Sequence, residues 1–263
     1  MMSKQNAGSR SIPAMIKTVF FDMGDTILHE TNIPGLDERS ARRVAEVLSR
    51  CNYEVNILDI PKAYDEARRL VRNRYAPKLL EMDLVEAWQE VLKNLGVPPE
   101  RMLAKECMDA WYSARQGIGW LEYYEDFMPV QKELRRLGLK LGLISNATYG
   151  IMYFVDELRL ADYFDTLVFS WEVKYVKPHP RIFEIALKRL KVSPEESIMV
   201  GDSLKSDVAG AKSMGMTAIW IDRGKQGVTF MNYNVKPDYV IHDLRELIPL
   251  LDIISEEKKR IRR

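Results

Sequence analysis

Short apolar runs alternate with helical segments through the second half of the chain. Apolar runs lie at residues 140–146, 166–172, 197–202, 217–223 and 238–241, and a similar run lies at 16–22. Segments with the apolar spacing of amphipathic helices lie at 127–138, 149–159, 180–190, 206–215 and 244–254. Because strands that alternate with helices pair in parallel, the sequence predicts an α/β fold: a Rossmann-like, doubly wound parallel sheet with helices on both faces.

A block without strand patterns interrupts this alternation after the first strand. Residues 37–116 show only helical periodicity, divided by Pro and Gly into about four segments. We therefore predict an α/β core at 15–34 and 120–254 with an inserted all-helical cap at 35–119. Gly117 and Gly119 are hinge candidates or ordinary turn residues. Residues 1–14 are predicted to be a disordered polar tail, and 255–263 a charged C-terminal tail that ends a solvated helix.

The composition excludes several classes of protein. Thirty-nine Lys and Arg oppose 38 Asp and Glu, so the chain lacks the basic excess of a nucleic-acid binder. No apolar run is long enough to span a membrane, and the N-terminal segment lacks the apolar stretch of a signal peptide. Two cysteines do not make a disulfide framework and suit a reducing compartment. We expect a cytoplasmic protein.

Polar residues follow the predicted strands, where an open α/β sheet binds its ligands. They are Asp22, Ser145 with Asn146, Lys177 in the connection after the 166–172 strand, and Asp202 with Asp207. Each has an ordinary alternative: the acids could cap helices, Ser145 and Asn146 could form turns, and Lys177 could be a solvated loop residue. A shared ligand site is favoured because the fold brings four such ends together.

These segments resemble the four motifs of the haloacid dehalogenase (HAD)-like hydrolase superfamily. Residues 20–28 are similar to its first motif, D-x-D-x-T, and 143–148 to the second, an apolar strand ending in Ser or Thr. Residues 176–187 resemble the third motif, in which Lys precedes Pro, and 200–216 the fourth, G-D-x-x-x-x-D. The order is the family's own. The helical block lies between motifs one and two, where one subgroup carries its cap.

The resemblance implies a Mg²⁺-dependent phosphatase that acts on a small phosphorylated metabolite through an aspartyl phosphate. Such enzymes are usually monomers or homodimers, and we expect the same of this chain. Asp22 would be the nucleophile. Mg²⁺ would be held by Asp22, the backbone carbonyl of Gly24 and Asp202, with Asp207 supporting them. Lys177 would balance the negative charge and bind phosphate together with Ser145 and Asn146.

One position departs from the family pattern. Its phosphatases carry a general acid two residues after the nucleophile, where this chain has Gly24. Asp25 could act instead, or the substrate, cap or water could supply the proton. The chain could also be a weak catalyst retained for binding or regulation. A metal-independent 2-haloacid dehalogenase, which lacks this acid, is disfavoured because the fourth motif keeps both aspartates.

The helix that begins near residue 59 carries four arginines: Arg68, Arg69, Arg72 and Arg74. Such a cluster is typical of a solvated helix face. One of the four could instead contact an anionic substrate. Because substrate specificity in the resembled family lies mainly in the cap, the sequence does not identify the substrate.

Overall fold

A computed structural model describes residues 15–224 and 235–261. The predicted tail at 1–14 and the last two residues lie outside this part of the chain. The strands are β1 Thr18–Phe21, β2 Leu28–Glu30, β3 Leu121–Tyr123, β4 Lys140–Ser145, β5 Thr166–Phe169, β6 Ser197–Gly201, β7 Thr217–Ile221 and β8 Tyr239–Ile241. Six of them form one parallel sheet in the order β5-β4-β1-β6-β7-β8. The predicted doubly wound sheet is confirmed.

Strand β1 lies at the centre of the sheet and is buried on both faces. Val19 and Phe21 pack into the apolar cluster on one face, and Phe20 into the cluster on the other. Phe21 lies opposite Leu143 of β4 and Val200 of β6. This register places the residues that follow β1, β4 and β6 side by side at the carboxyl edge of the sheet.

The helices are α1 Leu36–Arg50, α2 Asp59–Tyr75, α3 Leu84–Asn94, α4 Arg101–Ser113, α5 Phe127–Arg136, α6 Leu160–Tyr163, α7 Ser170–Val173, α8 Pro180–Leu190, α9 Ala209–Ser213 and α10 Leu247–Ile261. The first four form the helical insertion between β2 and β3. Helix α10 runs through Ile261, so most of the predicted charged tail is the end of that helix. No helix in the described ranges is long and apolar enough to cross a membrane.

The predicted helix at 149–159 is wrong. The chain forms a 3₁₀ turn at Tyr149–Tyr153, and only Leu160–Tyr163 is α-helical. Gly150 packs so closely on Tyr112 of α4 that a Cβ there would lie 2.4 Å from the ring. Arg159 adopts a left-handed φ of 52°, which an α-helix does not tolerate. A contact with the insertion and a turn therefore replace the helix that the apolar spacing indicated.

The sequence patterns also missed a small two-stranded sheet. Strands β2 and β3 pair antiparallel at the two points where the insertion leaves and rejoins the core. Thr31 extends the pairing, because its Oγ1 donates to the Gly119 carbonyl at 2.7 Å and its N–H to that of Trp120 at 2.8 Å. Three-residue strands give no periodic signal, and their partners lie far apart in sequence. The connections to the insertion are therefore held together.

A second contact joins the insertion to the core. The loop between α2 and α3 pairs with the segment directly before Lys177: Glu81 N–H donates to the Lys174 carbonyl at 3.1 Å, and Val176 N–H to that of Leu79 at 3.0 Å. The insertion therefore contacts the core at two places: at the paired strands β2 and β3, and beside the segment that carries Lys177.

Candidate active site

Lys177 lies at the centre of the carboxyl edge and is almost completely buried. Its Nζ lies 2.5 Å from Asp22 Oδ1, 2.6 Å from Asp207 Oδ1 and 2.6 Å from the Ile144 carbonyl oxygen. Burial alone would lower the pKa of this ammonium group, but Asp207 and Asp22 outweigh it and raise the pKa. The alternative of a solvated loop lysine is therefore wrong.

Asp207 reaches this cluster because of a glycine at the end of β6. A Cβ on Gly201 would lie 2.3 Å from Asp207 Cγ, so no larger residue fits without displacing the carboxylate. The second oxygen of Asp207, Oδ2, accepts the Ser203 N–H at 3.0 Å. Asp207 lies in a π-helical turn at Leu204–Val208, which replaces the first part of the predicted 206–215 helix. Such turns are frequent at functional sites.

Asp202 follows β6 directly, and its backbone is held from two sides. Its N–H donates to Thr26 Oγ1 at 3.1 Å, and its carbonyl accepts from Trp220 Nε1 at 2.7 Å. Burial, reinforced by the charges of Asp22 and Asp207, raises the pKa of Asp202 to about 8. Sequence patterns do not reveal the roles of Thr26 and Trp220, since these depend on the packing of three separate segments.

The three aspartates form a candidate cation site. Asp22, Asp202 and Asp207 each offer an oxygen, and these oxygens lie within 4.8 Å of one another. Burial and the charge of Asp22 raise the pKa of Asp207 to about 6, although Lys177 opposes the shift. Three carboxylates around one ammonium leave an excess of negative charge. Oxygen ligands and negative charge are what a divalent cation such as Mg²⁺ requires.

Ser145 and Asn146 lie beside this cluster at the end of β4, and Ser145 is buried. The Asn146 amide binds the backbone of Lys177 in both directions: Nδ2 donates to its carbonyl at 3.1 Å, and Oδ1 accepts its N–H at 2.6 Å. Asn146 therefore fixes the loop that carries the lysine. Phosphate binding by Ser145, Asn146 or Lys177 stays a prediction.

The turn after β1 is held by Arg223, which the sequence patterns did not single out. Its Nη2 donates to the Thr26 carbonyl at 2.6 Å, and its Nη1 lies 2.9 Å from Oδ2 of the buried Asp126. The guanidinium stacks 3.7 Å from the ring centre of Tyr124, whose hydroxyl lies 3.4 Å from Asp25 Oδ1. A signal for Arg223 was available in the sequence, because it is a polar residue shortly after strand β7. The partners of Arg223, however, lie about 100 residues or more away in the sequence.

Gly24 and Asp25 face a cavity of about 600 Å³ that extends from the turn after β1 and the loop after β4 toward the helical insertion. Gly24 is exposed, and no heavy atom of residues 15–224 or 235–261 lies within 4 Å of where its Cβ would be. Asp25 adopts a left-handed φ of 51°. The far end of the cavity is lined by α2 and α4, and it includes Arg68 and Arg115.

Comparisons with known proteins support the resemblance seen in the motifs. A model of the haloacid dehalogenase-like hydrolase family matches residues 16–215. A glyceraldehyde 3-phosphate phosphatase of Methanopyrus kandleri is 31% identical over 248 residues, which cover 93% of this chain and 100% of that protein. A phosphoserine phosphatase of Thermus thermophilus is 36% identical over 163 residues, or 61% of each chain.

Solved structures include similar proteins of two activities. A HAD phosphatase of Thermococcus onnurineus is 30% identical with a TM-score of 0.56, over 90% of this chain and 98% of that one. A 2-haloacid dehalogenase of Pseudomonas syringae is 25% identical with a TM-score of 0.65, over 90% and 99% of the two chains. The fold by itself therefore does not separate the two reactions.

Proposed function

This chain belongs to the haloacid dehalogenase-like hydrolases, and we propose that it is a phosphatase that hydrolyses small phosphate monoesters through an aspartyl phosphate on Asp22. One observation carries the proposal. The carboxylate after the central strand lies against a buried lysine and within 4.8 Å of two further carboxylates. The phosphatases of Methanopyrus and Thermus that resemble the chain support the same reaction class.

The donor atoms fit Mg²⁺. Asp22, Asp202 and the Gly24 carbonyl would hold the ion, with Asp207 supporting them through Lys177. When bound, Mg²⁺ would neutralise the charge of the carboxylates and of the phosphate oxygens, so that two anions can approach each other. The raised pKa values of Asp202 and Asp207 are consistent with acids whose charge a cation is needed to balance.

The protein residues then act as follows. Asp22 uses one carboxylate oxygen to attack phosphorus, and the ester oxygen leaves with the electron pair of the broken P–O bond. Lys177 holds the other carboxylate oxygen, Oδ1, at 2.5 Å and so fixes the direction of attack. A water molecule next attacks the phosphoaspartate, which releases phosphate and restores the carboxylate. The alcohol product gains one proton, and the water supplies it in the balanced reaction.

Proton delivery to the leaving oxygen is the catalytic step that the residues named above do not explain. Gly24 provides no acid, and Asp25 is the nearest carboxyl group along the chain. The hydrogen bond from Tyr124 and the left-handed backbone at Asp25 hold that side chain in place. We infer that substrate or water delivers the proton, which favours esters with good leaving groups.

We further propose that the helical insertion is a cap over this site. It is joined to the core by the paired strands β2 and β3, and the cavity lies between it and the carboxyl edge. A cap in this position would exclude water during phosphoryl transfer.

Dehalogenation is the second candidate, because the Pseudomonas dehalogenase superimposes with the TM-score of 0.65. That reaction also uses a nucleophilic aspartate but needs no cation. Three converging carboxylates would then be an electrostatic cost without a function. Assays for phosphate and for halide in excess EDTA distinguish the two.

The proposal is tested with Asp22→Asn, which keeps the shape of the side chain and removes the nucleophile. We expect Mg²⁺-dependent hydrolysis of p-nitrophenyl phosphate to fall by about 10³-fold or more, with an unchanged circular dichroism spectrum. Asp252→Asn, an exposed acid on α10, is the matched control and should retain activity. Turnover by Asp22→Asn equal to that of the control would refute the proposal, as would a complete lack of turnover by the unmodified protein across a broad ester panel.

A further inference from the structure

The cavity has two chemically different ends. One end contains the turn at Gly24 and Asp25 and the loop that begins at Asn146. The other is formed by side chains of α2 and α4 and by Arg115, just beyond α4. A substrate that places its phosphate at the first end would extend its remaining atoms toward the second.

Arg115 is an unusually buried cation at this second end, with 9% of its surface exposed. Its guanidinium carbon lies 4.7 Å from the ring centre of Trp111 and 5.6 Å from that of Trp120. Nη2 pairs with the exposed Asp37, which leaves Nε buried with no hydrogen-bond partner in the described part of the protein. A buried N–H without a partner is costly unless a ligand accepts it.

A second arginine repeats this arrangement on α2. The Arg68 guanidinium lies 5.2 Å from the ring centre of Tyr64, and its Nε is also buried without a hydrogen-bond partner within residues 15–224 and 235–261. Arg69, the next residue, is exposed. The four arginines of α2 are therefore not equivalent: Arg68 is partly buried and lines the cavity, whereas Arg69 belongs to the solvated face.

Two buried tyrosines complete the group. The hydroxyl oxygens of Tyr64 and Tyr112 lie 2.7 Å apart, and either can be the donor. One of the two hydroxyl hydrogens makes this bond, and the other remains for a further acceptor. Burial, together with Tyr112, raises the pKa of Tyr64 well above its usual value, so the Tyr64 hydroxyl keeps its proton at neutral pH.

We propose that Arg68, Arg115 and the Tyr64–Tyr112 pair, here called the arginine pocket, bind a carboxylate at the non-reacting end of the substrate. The inference rests on the proposed phosphatase function and specifies its substrate class: small phosphate monoesters that also carry a carboxylate. The aromatic rings cover guanidinium faces and leave the Nε–H edge of each arginine for the ligand, while Nη2 of Arg115 also contacts Asp37. Those edges form the planar fork that matches a carboxylate.

The first test compares two pairs of esters that differ by the carboxylate: 3-phosphoglycerate with glycerol 3-phosphate, and phosphoserine with phosphoethanolamine. We expect the unmodified protein to prefer the carboxylated member by about tenfold or more in kcat/KM. Arg68→Met and Arg115→Met should each reduce that ratio at least about tenfold, mainly through KM. Arg69→Met is the matched control and should leave the ratio unchanged. Equal rates within both pairs, with phosphate still released, would overturn the arginine pocket and leave the proposed function intact.

A binding measurement separates the inference from turnover. Calorimetric titration of Asp22→Asn with 3-phosphoglycerate and glycerol 3-phosphate should show tighter binding of the carboxylated ester. The difference should disappear when Arg115→Met is added. Equal affinities in Asp22→Asn would overturn the inference even if no ester is hydrolysed. A preference that persists in both arginine variants, each folded by circular dichroism, would place the carboxylate elsewhere and refute the assignment.

Discussion

Gly24→Asp tests whether the site lacks only a general acid. The described part of the chain leaves room for the new side chain, because none of its heavy atoms lies within 4 Å of the added Cβ and the backbone at Gly24 is outside the left-handed region. The residue is exposed and faces the cavity. An aspartate at position 24 would therefore extend toward the leaving oxygen of a bound ester without displacing a neighbour.

The size of the effect follows from the chemistry and from this open environment. General acid catalysis contributes about 10²- to 10⁴-fold, which corresponds to about 3 to 5 kcal/mol in the activation free energy. Because no group among the described residues lies within 4 Å to fix the new side chain at its base, we expect the lower end of this range, about 10²-fold in kcat for glycerol 3-phosphate. For p-nitrophenyl phosphate, whose leaving group needs little protonation, we expect about threefold or less.

The assay is steady-state phosphate release with both esters at saturating Mg²⁺. Gly24→Asn is the matched control, because it has the same shape but cannot donate a carboxyl proton. Adding Asp25→Asn to Gly24→Asp shows whether Asp25 contributes. Equal kcat values for Gly24→Asp and Gly24→Asn with glycerol 3-phosphate would refute the reasoning. If Asp25→Asn alone reduces the unmodified activity by about 10²-fold, Asp25 is the acid and proton delivery by substrate or water is wrong.

Three further predictions concern the acidic cluster. Lys177→Met should lower the free energy of unfolding by about 3–5 kcal/mol in urea titrations, because it leaves buried carboxylates unpaired. The control Lys205→Met, at an exposed lysine, should change the free energy of unfolding by about 0.5 kcal/mol or less. Equal losses in the two variants would contradict the buried ion pair. Gly201→Ala should lower the free energy of unfolding by about 1–3 kcal/mol and reduce phosphate release at least about tenfold, because the new methyl group overlaps Asp207. Full activity of this variant would show that the Asp207 carboxylate can move freely. Mg²⁺ at 100 times its Kd should stabilise the protein by about 2.7 kcal/mol, which is measured as a rise in Tm that EDTA reverses. The same rise in the Asp202→Asn variant would exclude Asp202 as a ligand.

Local patterns were sufficient for the parallel sheet and for the segments that carry Asp22, Lys177 and Asp202. Apolar strands that end in polar residues are a short-range signal, and the parallel topology brings their ends to one edge. The helical insertion was predictable for the same reason, since helical periodicity is also local. The family motifs added the chemistry that these residues could share.

The missed features depend on contacts between distant segments. Strands β2 and β3 were too short to predict. The predicted 149–159 helix is wrong because Gly150 packs against Tyr112. Arg223 is another example, because its importance comes from its position against Thr26 and Asp126. Periodicity carries no information about such contacts, which arise only when the chain is packed.

The six strands of the parallel sheet, and the carboxylates at the strand ends, follow from the sequence because each depends on neighbours a few residues away. Tertiary packing decided that Lys177 is buried between Asp22 and Asp207, and that Arg68 faces the cavity whereas Arg69 faces solvent. The charge state of a buried group and the direction of a side chain depend on which distant groups surround it. Those surroundings exist only after the sheet and the helical insertion have come together.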